Sequence, residues 1–300
     1  MELRQPTTNG HAHAKRGVLY VAFGLEYLVM AAHSALSVKR HSPDLGTQLV
    51  TNLPVTGLRC GTAVPFDYID KAEAPSAANR EYKLQANRLS RFDHALYLDC
   101  DTEIWGDLRP VFINLARSPL SIRLNPYPTG RDISILGSTA QALGLHEWNS
   151  GALLFDTANN DLHEFFSTWL NDFTRLGYRH DQPSLLRTIM TPGQLIPLPM
   201  GFVWNAKGDG YISSIDGGEP GSSVRVYHYN DVASKPELAG RIKETYARMS
   251  IEGPAGASEE RRLIDERLGG EANLKVKRKG SFLTRLRRLW RRQVTSRFAE

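Results

Sequence analysis

Two carboxylates two positions apart, Asp99 and Asp101, close the apolar run 95–98 in the stretch HALYLDCDTEIW. Side chains of an extended chain alternate faces, so both leave the strand end on the same side. Like charges held that close repel, unless a hard cation takes oxygen ligands from both. The run before them is short and fully apolar, as strands buried in parallel sheets are. The carboxyl ends of such strands are where open α/β sheets bind ligands. The pair therefore reads as a divalent-cation site at the tip of a central strand.

The elements that must position this pair can be read on either side of it. Residues 16–23 (RGVLYVAF) form a first core strand that breaks at Gly24, and 25–39 carry helical apolar spacing through Leu28, Val29, Ala32 and Leu36. A strand, a glycine and a helix in that order make an opening for a nucleotide, with phosphate or base near the helix start. An ordinary βα turn has the same signature. Strands are expected at 46–52 and within 62–69. The spacing predicts a single amphipathic helix over 80–91, with Tyr82, Leu84 (or Lys83) and Leu89 toward the sheet and Arg80, Lys83 and Arg88 recurring on its polar side. A further helix is expected at 107–115, with Asp107 as its cap and Pro110 in its first turn.

Residues 118–146, rich in Pro and Gly, read as a long irregular region that shapes an acceptor pocket. Asn149-Ser150-Gly151 then precedes an apolar strand to 157, and 162–176 form a helix whose aromatic residues pack in the core. Asp181-Gln182-Pro183 leads into a helix at 184–190, with Asp181 as a cap or as a site residue. Residues 194–205 look strand-like, with Trp204 and Asn205 lining the acceptor side or Trp204 packed in the core. The last strand, 222–229, ends near His228, which shares a face with Val224 and Val226.

Taken in order, strand–Gly–helix, basic helix, Asp-X-Asp, Asn-Ser-Gly, Asp-Gln and His followed by Lys-Pro, these pieces resemble nucleotide-sugar glycosyltransferases of the GT-A fold. Among those they resemble the glycogenin and bacterial lipopolysaccharide galactosyltransferase family (glycosyltransferase family 8), over residues 17–236. The resemblance implies an α/β fold with a mixed, mostly parallel sheet flanked by helices. It implies that Ala22, Phe23, Gly24 and Tyr27 hold the uridine and that a base of the 80–91 helix, Lys83, points at donor phosphate. It makes Asp99, Asp101 and His228 ligands of Mn²⁺, or Mg²⁺ less well, with Asp99 also meeting the donor. Asn149 and Asp181 would orient sugar hydroxyls, Gln182 would lie beside the donor sugar, and Lys235 would contact the diphosphate. The chain departs from the family in two respects: its lysine follows the histidine one residue later, and the Gly and Trp that flank the family's Lys-Pro are absent.

The composition, 41% hydrophobic and 23% charged, is that of a globular protein. Cys60 and Cys100 supply no disulfide framework, which makes a reducing compartment the default. No apolar run is long enough to span a membrane. The net charge of +5 is uneven, because residues 275–300 hold ten Lys or Arg and one acid, leaving 27 bases against 31 acids elsewhere. The expected organisation is a catalytic domain at 16–250, a linker at 251–274 and a basic amphipathic tail at 275–300. In 275–298, Phe282, Leu286, Leu289, Trp290, Val294 and Phe298 fall on one helical side among arginines. Such a helix suits an anionic membrane surface, with about 1 kcal/mol per base near it. Nucleic acid is disfavoured because a paired aromatic stacking platform is missing, and docking on the chain's own acidic body is the other alternative. The expected location is the cytoplasm, peripheral at the inner face of a membrane.

The expected reaction is metal-dependent transfer of a hexose from a nucleoside-diphosphate sugar, of the UDP type, to a hydroxyl of a glycan, a lipid-linked acceptor or a protein. The resemblance implies retention of configuration. Since Gln182 is an amide and a poor nucleophile, same-face attack assisted by the departing phosphate is favoured over a covalent intermediate on Asp181. A haloacid-dehalogenase-type phosphatase would carry its acid pair on the first strand, and Glu103 fills the place where that motif needs Thr or Val. A nucleotidylyltransferase would want a Gly-rich, Arg-containing loop where this chain has AFGLEY. A hydrolase of nucleotide-sugars would share the metal site. A non-catalytic membrane- or nucleic-acid-binding protein would leave the acids and His228 without a task.

Overall fold

The computed structural model describes residues 15–207, 223–229 and 235–254. Its centre is a seven-stranded sheet. The strands are β1 (Arg16–Val21), β2 (Gly46–Thr51), β4 (Tyr68–Lys71), β5 (His94–Leu98), β7 (Leu120–Pro128), β10 (His146–Asp156) and β11 (Leu198–Met200). Their order is β11-β7-β10-β5-β1-β2-β4. β4, β2, β1 and β5 run parallel, and β10 is antiparallel to both its neighbours, β5 and β7. The mixed, mostly parallel sheet expected from the resemblance is present.

Helix α1 (Leu25–His41) covers one face, burying Leu28, Ala31, Ala32, Ala35 and Val38. The opposite face is covered by α4 (Asn160–Arg175) and α5 (Asp181–Ile189), with Phe165, Phe166 and Trp169 buried. Asn159 caps α4 by accepting a hydrogen bond from the Leu162 N–H at 3.0 Å. Gly17 and Gly46 stand opposite each other on β1 and β2. A Cβ on either would come within 2.4 or 2.5 Å of the Phe92 ring, which lies over both.

A second, three-stranded sheet crosses the end of the first: β12 (Ala206–Lys207), β13 (Val226–His228) and β6 (Thr102–Ile104). β13 is antiparallel to β6, with His228 opposite Thr102. β3 (Gly57–Cys60) pairs with β14 (Met249–Glu252). The strand therefore runs two residues into the stretch expected to be linker.

The sequence reading fails in four places. Residues 118–146 contain β7, an internal strand of the main sheet, and the small hairpin β8 (Ser134–Ile135) and β9 (Ser138–Thr139). β7 was hidden because it buries polar residues: Ser121 is fully buried and Arg123 nearly so. The Arg123 guanidinium donates to the Asn205 carbonyl at 2.6 Å and lies over the Phe202 ring. The single helix at 80–91 is two short ones, α2 (Asn79–Lys83) and α3 (Ala86–Leu89). Residues 107–115 hold a 3-10 helix, Arg109–Ala116, whose first N–H donates to Asp107. The expected strand at 194–205 is broken: β11 is followed by a 3-10 turn (Phe202–Trp204), and β12 begins only at Ala206. Helix α6 (Pro236–Ala247) packs back on α1. The N-terminal 1–14 and the basic tail lie outside the described residues.

Candidate active site

β5 ends at Leu98 and delivers Asp99; the turn after it carries Asp101 and leads into β6. The Asp99 N–H donates to the Gly151 carbonyl at 2.9 Å, and the Tyr229 N–H donates to the Asp101 carbonyl at 3.1 Å. Backbone pairing thus fixes both acids, one to the main sheet and one to the small sheet. His228, on the small sheet, brings its Nε2 to 3.2 Å from Asp101 Oδ1 and 4.0 Å from Asp99 Oδ2. One ligand atom from each of the three residues lies within 4.8 Å of the others. The separations of 3.2 and 4.0 Å from His228 Nε2 fit donors about 2.1 Å from a shared ion, and two carboxylates with one imidazole form a donor set suited to Mn²⁺ or Mg²⁺.

The other oxygen of Asp99 is already engaged. Its Oδ1 accepts from Lys83 Nζ and from the Tyr97 hydroxyl, both at 2.9 Å. Oδ2 is thereby turned toward Asp101 and His228. Lys83 is only 6% exposed. Its ammonium also reaches Asp181 Oδ2 at 2.8 Å and Ser150 Oγ at 3.1 Å. Ser150 in turn donates to Asp181 at 2.7 Å. An ammonium has three protons, and all three have acceptors here. Of the two placements the helix spacing allows for Lys83, sheet side and polar side, the buried one is found, and there it braces two carboxylates.

The electrostatics follow the geometry. Burial works against the Lys83 cation, but Asp181 and Asp99 outweigh it and raise its pKa above the ordinary lysine value. Burial likewise pushes Asp181 up, yet the neighbouring Lys83 holds its carboxyl at about 2. Asp101 is pushed up by burial and pulled down further by His228, for a net lowering. Among the described residues, three carboxylates pair directly with one lysine and one histidine, with Lys207 near enough to feel Asp101 and Asp99.

Behind the ligands lies a second row. Asn149 is buried on β10; its Oδ1 accepts from the Gly151 N–H and from Asn205 Nδ2, both at 3.0 Å. Its own Nδ2 is buried and has no hydrogen-bond partner among the described residues. Asn205 is fully buried and places Oδ1 at 3.0 Å from His228 Nδ1. Its expected place on the acceptor side is corrected: it sits behind the histidine. Asp181 opens α5, and Gln182 follows it, half-buried.

At the other edge, Ala22 and Phe23 are buried, and Gly24 takes φ +83, a conformation that favours glycine. The Gly24 N–H donates to Asn52 Oδ1 at 2.9 Å. Tyr27 is 43% exposed; partial burial of its hydroxyl, with Glu26 and Asp101 among the charges that act on it, raises its pKa. Lys235 stands just before α6, its Nζ 5.1 Å from the centre of the Tyr227 ring. Tyr227 and His228 leave β13 on opposite faces, so Lys235 lies on the Tyr227 side of that strand.

Three participants escaped the sequence reading. Tyr97 shares a strand face with Asp99, a two-residue spacing that could have revealed it. Ser150 sits where the β10–β7 register is irregular, between Asn149 and Leu153, which strand periodicity does not foresee. Lys207 pairs across β12–β13 with His228, and Asp101 and Asp99 act on its charge.

A twisted, mostly parallel sheet with one reversed strand, and an acid pair at its carboxyl edge joined by a histidine from a crossing sheet, define the GT-A type of glycosyltransferase fold. Solved structures bear this out. LgtC, as the galactosyltransferase in complex with donor and acceptor sugar analogues, is 14% identical, with a TM-score of 0.53 over 82% of this chain and 99% of that one. An active-site mutant of LgtC is 16% identical at the same TM-score and coverage. The glycosyltransferase GlyE of Streptococcus pneumoniae is 17% identical, with a TM-score of 0.51 over 78% of this chain and 60% of that one. No protein-family model and no curated protein matches the sequence.

Proposed function

We propose that the chain is a divalent-metal-dependent glycosyltransferase that moves a hexose from a nucleoside-diphosphate sugar, of the UDP class, to a hydroxyl acceptor with retention of configuration. The observation that carries this is the convergence of Asp99, Asp101 and His228 on one point. Asp99 Oδ2, Asp101 Oδ1 and His228 Nε2 would hold Mn²⁺, or Mg²⁺ less well. A cation there supplies Lewis-acid neutralisation of a leaving diphosphate.

The chain's own residues do the rest. Lys83 holds Asp99 and Asp181 in place through its hydrogen bonds to both, so the carboxylates need no reorganisation when substrate arrives. The unpartnered Nδ2 of Asn149 is a buried donor suited to a sugar hydroxyl, since a buried polar group without a partner is costly until a ligand supplies one. Asp181 and Gln182, at the start of α5, orient the donor sugar for same-face attack. Ala22, Phe23, Gly24 and Tyr27 form the wall against which the nucleoside lies. Lys207 adds positive charge on the His228 side of the site. A glycan, a lipid-linked sugar and a protein are all suitable acceptors.

Among the described residues no helix is long and apolar enough to cross a membrane. We assign any membrane attachment to residues 275–298, on their sequence pattern; binding to anionic vesicles that is lost when the tail arginines are replaced tests it. The central experiment is thermal unfolding with UDP and Mn²⁺, alone and together. The pair should raise the unfolding temperature, and Asp101→Ala should abolish the shift. No shift with any nucleoside diphosphate, with or without metal, overturns the assignment.

A further inference from the structure

The orientation of the His228 ring can be deduced from one backbone group. The Gly151 N–H can only donate, so the atom of Asn149 facing it at 3.0 Å is the amide oxygen. That oxygen also lies 3.0 Å from an amide atom of Asn205, which must then be its NH₂. The remaining atom of the Asn205 amide is the carbonyl oxygen, and it faces His228 Nδ1 at 3.0 Å. A carbonyl oxygen accepts and never donates. The ring proton therefore belongs on Nδ1, and Nε2 is the nitrogen presented to Asp101 and Asp99.

Gly151 also sets where the ring lies. A Cβ at this position would stand 2.3 Å from His228 Cε1 and 2.4 Å from Nδ1, so the imidazole rests directly on the glycine backbone. The same residue thus supplies both the floor under the ring and the N–H from which the amide orientations follow.

We propose that Asn205 is the positioning residue of the cation site: by accepting from Nδ1–H it fixes the tautomer of His228 and dedicates Nε2 to a divalent ion shared with Asp99 and Asp101. This rests on the metal-dependent reading above and deepens it. Asn205 touches no reacting atom; it acts through the histidine. Partners of this kind on a metal-ligating histidine typically contribute about 10–100-fold to metal affinity. Without the amide, a neutral ring is released to place its proton on Nε2, which would block ligation.

Two readouts on the full chain decide the matter. Ring ¹⁵N NMR of His228, assigned by its loss in His228→Gln, should show a protonated Nδ1 in the metal-free protein and in the presence of diamagnetic Mg²⁺. Mn²⁺ titration followed by the EPR signal of the free ion should show binding weakened about 10–100-fold in Asn205→Leu. In Asn205→Asp, which keeps an acceptor at Nδ1 but loses the donor to Asn149, affinity should fall less than in Asn205→Leu. A bare Nδ1 in the wild type overturns the proposal, and needs no variant to fold. So does an Asn205→Leu protein that binds Mn²⁺ as the wild type does. A wild type that binds no Mn²⁺ while keeping a protonated Nδ1 refutes the metal-dependent function and the cation half of the proposal, and leaves the assigned tautomer standing.

Discussion

Two polar clusters sit on either side of β6 and are built from the same materials to opposite ends. One is the site at Asp99, Asp101, Lys83, Asp181 and His228. The other gathers around Glu103, two residues past Asp101, which is buried and pairs with Arg241 at 2.7 Å and with His33 at 3.3 Å. Trp105 Nε1 adds a hydrogen bond at 3.1 Å, and His33 Nδ1 meets the Thr245 hydroxyl at 2.9 Å. Around Glu103 one acid is answered by an arginine, a histidine and an indole. Around Asp99, among the described residues, three acids pair directly with one lysine and one histidine. A cluster whose donors match its acceptors locks helices α1 and α6 to the small sheet. A cluster whose acids outnumber their direct partners is one that an ion can complete.

The difference can be broken by removing the basic partner on each side. Lys83→Met should have the largest effect, about 3–5 kcal/mol of lost stability, because it leaves two carboxylates uncompensated in a buried place. Unfolding in Mn²⁺ plus UDP should recover part of that loss. Glu103→Ala should cost about 1–3 kcal/mol, because His33 loses a partner in a buried place while half-exposed Arg241 is solvated by water, and Mn²⁺ should recover none of it. Equal recovery in the two variants would erase the distinction.

A smaller change sharpens the picture on the metal side alone. Gly151→Ala pushes the imidazole off its floor and should weaken Mn²⁺ binding about tenfold, as losses of ligand orientation do. Isothermal titration of the metal measures it.

The smallest effect concerns pH. Burial pushes the Glu103 carboxyl up, but hydrogen bonds from His33, Arg241 and Trp105 outweigh it and hold it at about 2, against an ordinary 4.5. A folded value below the unfolded one gives stability that is complete above pH 4.5 and disappears as pH falls toward 2. Glu103→Gln should flatten the fall in unfolding temperature across that window; an unchanged slope would remove Glu103 from the account.

Much of this was legible in the sequence. Asp99 and Asp101 announced themselves because strand alternation makes a two-residue spacing a shared face. The opening strand, α1, the Asn-Ser-Gly strand and α4 followed from period and composition, and the order of the motifs pointed to the GT-A fold. The spacing allowed either Leu84 or Lys83 toward the sheet, and periodicity alone could not choose, because the helix it assumed stops at Lys83. β7 was missed because buried Ser121 and Arg123 find their partners in residues about 80 positions away. Asn205 was named for the wrong wall, since nothing local tells an amide that supports a histidine from one that meets a substrate.

Phe92, lying across Gly17 and Gly46, ties three separate positions into one volume. A side chain at either glycine demands a smaller residue at 92, and a smaller residue at 92 leaves a void that two glycines cannot fill. In sequence space the three can drift only as a set, so a variant library that samples them one at a time should find each intolerant, while paired exchanges reopen the same ground.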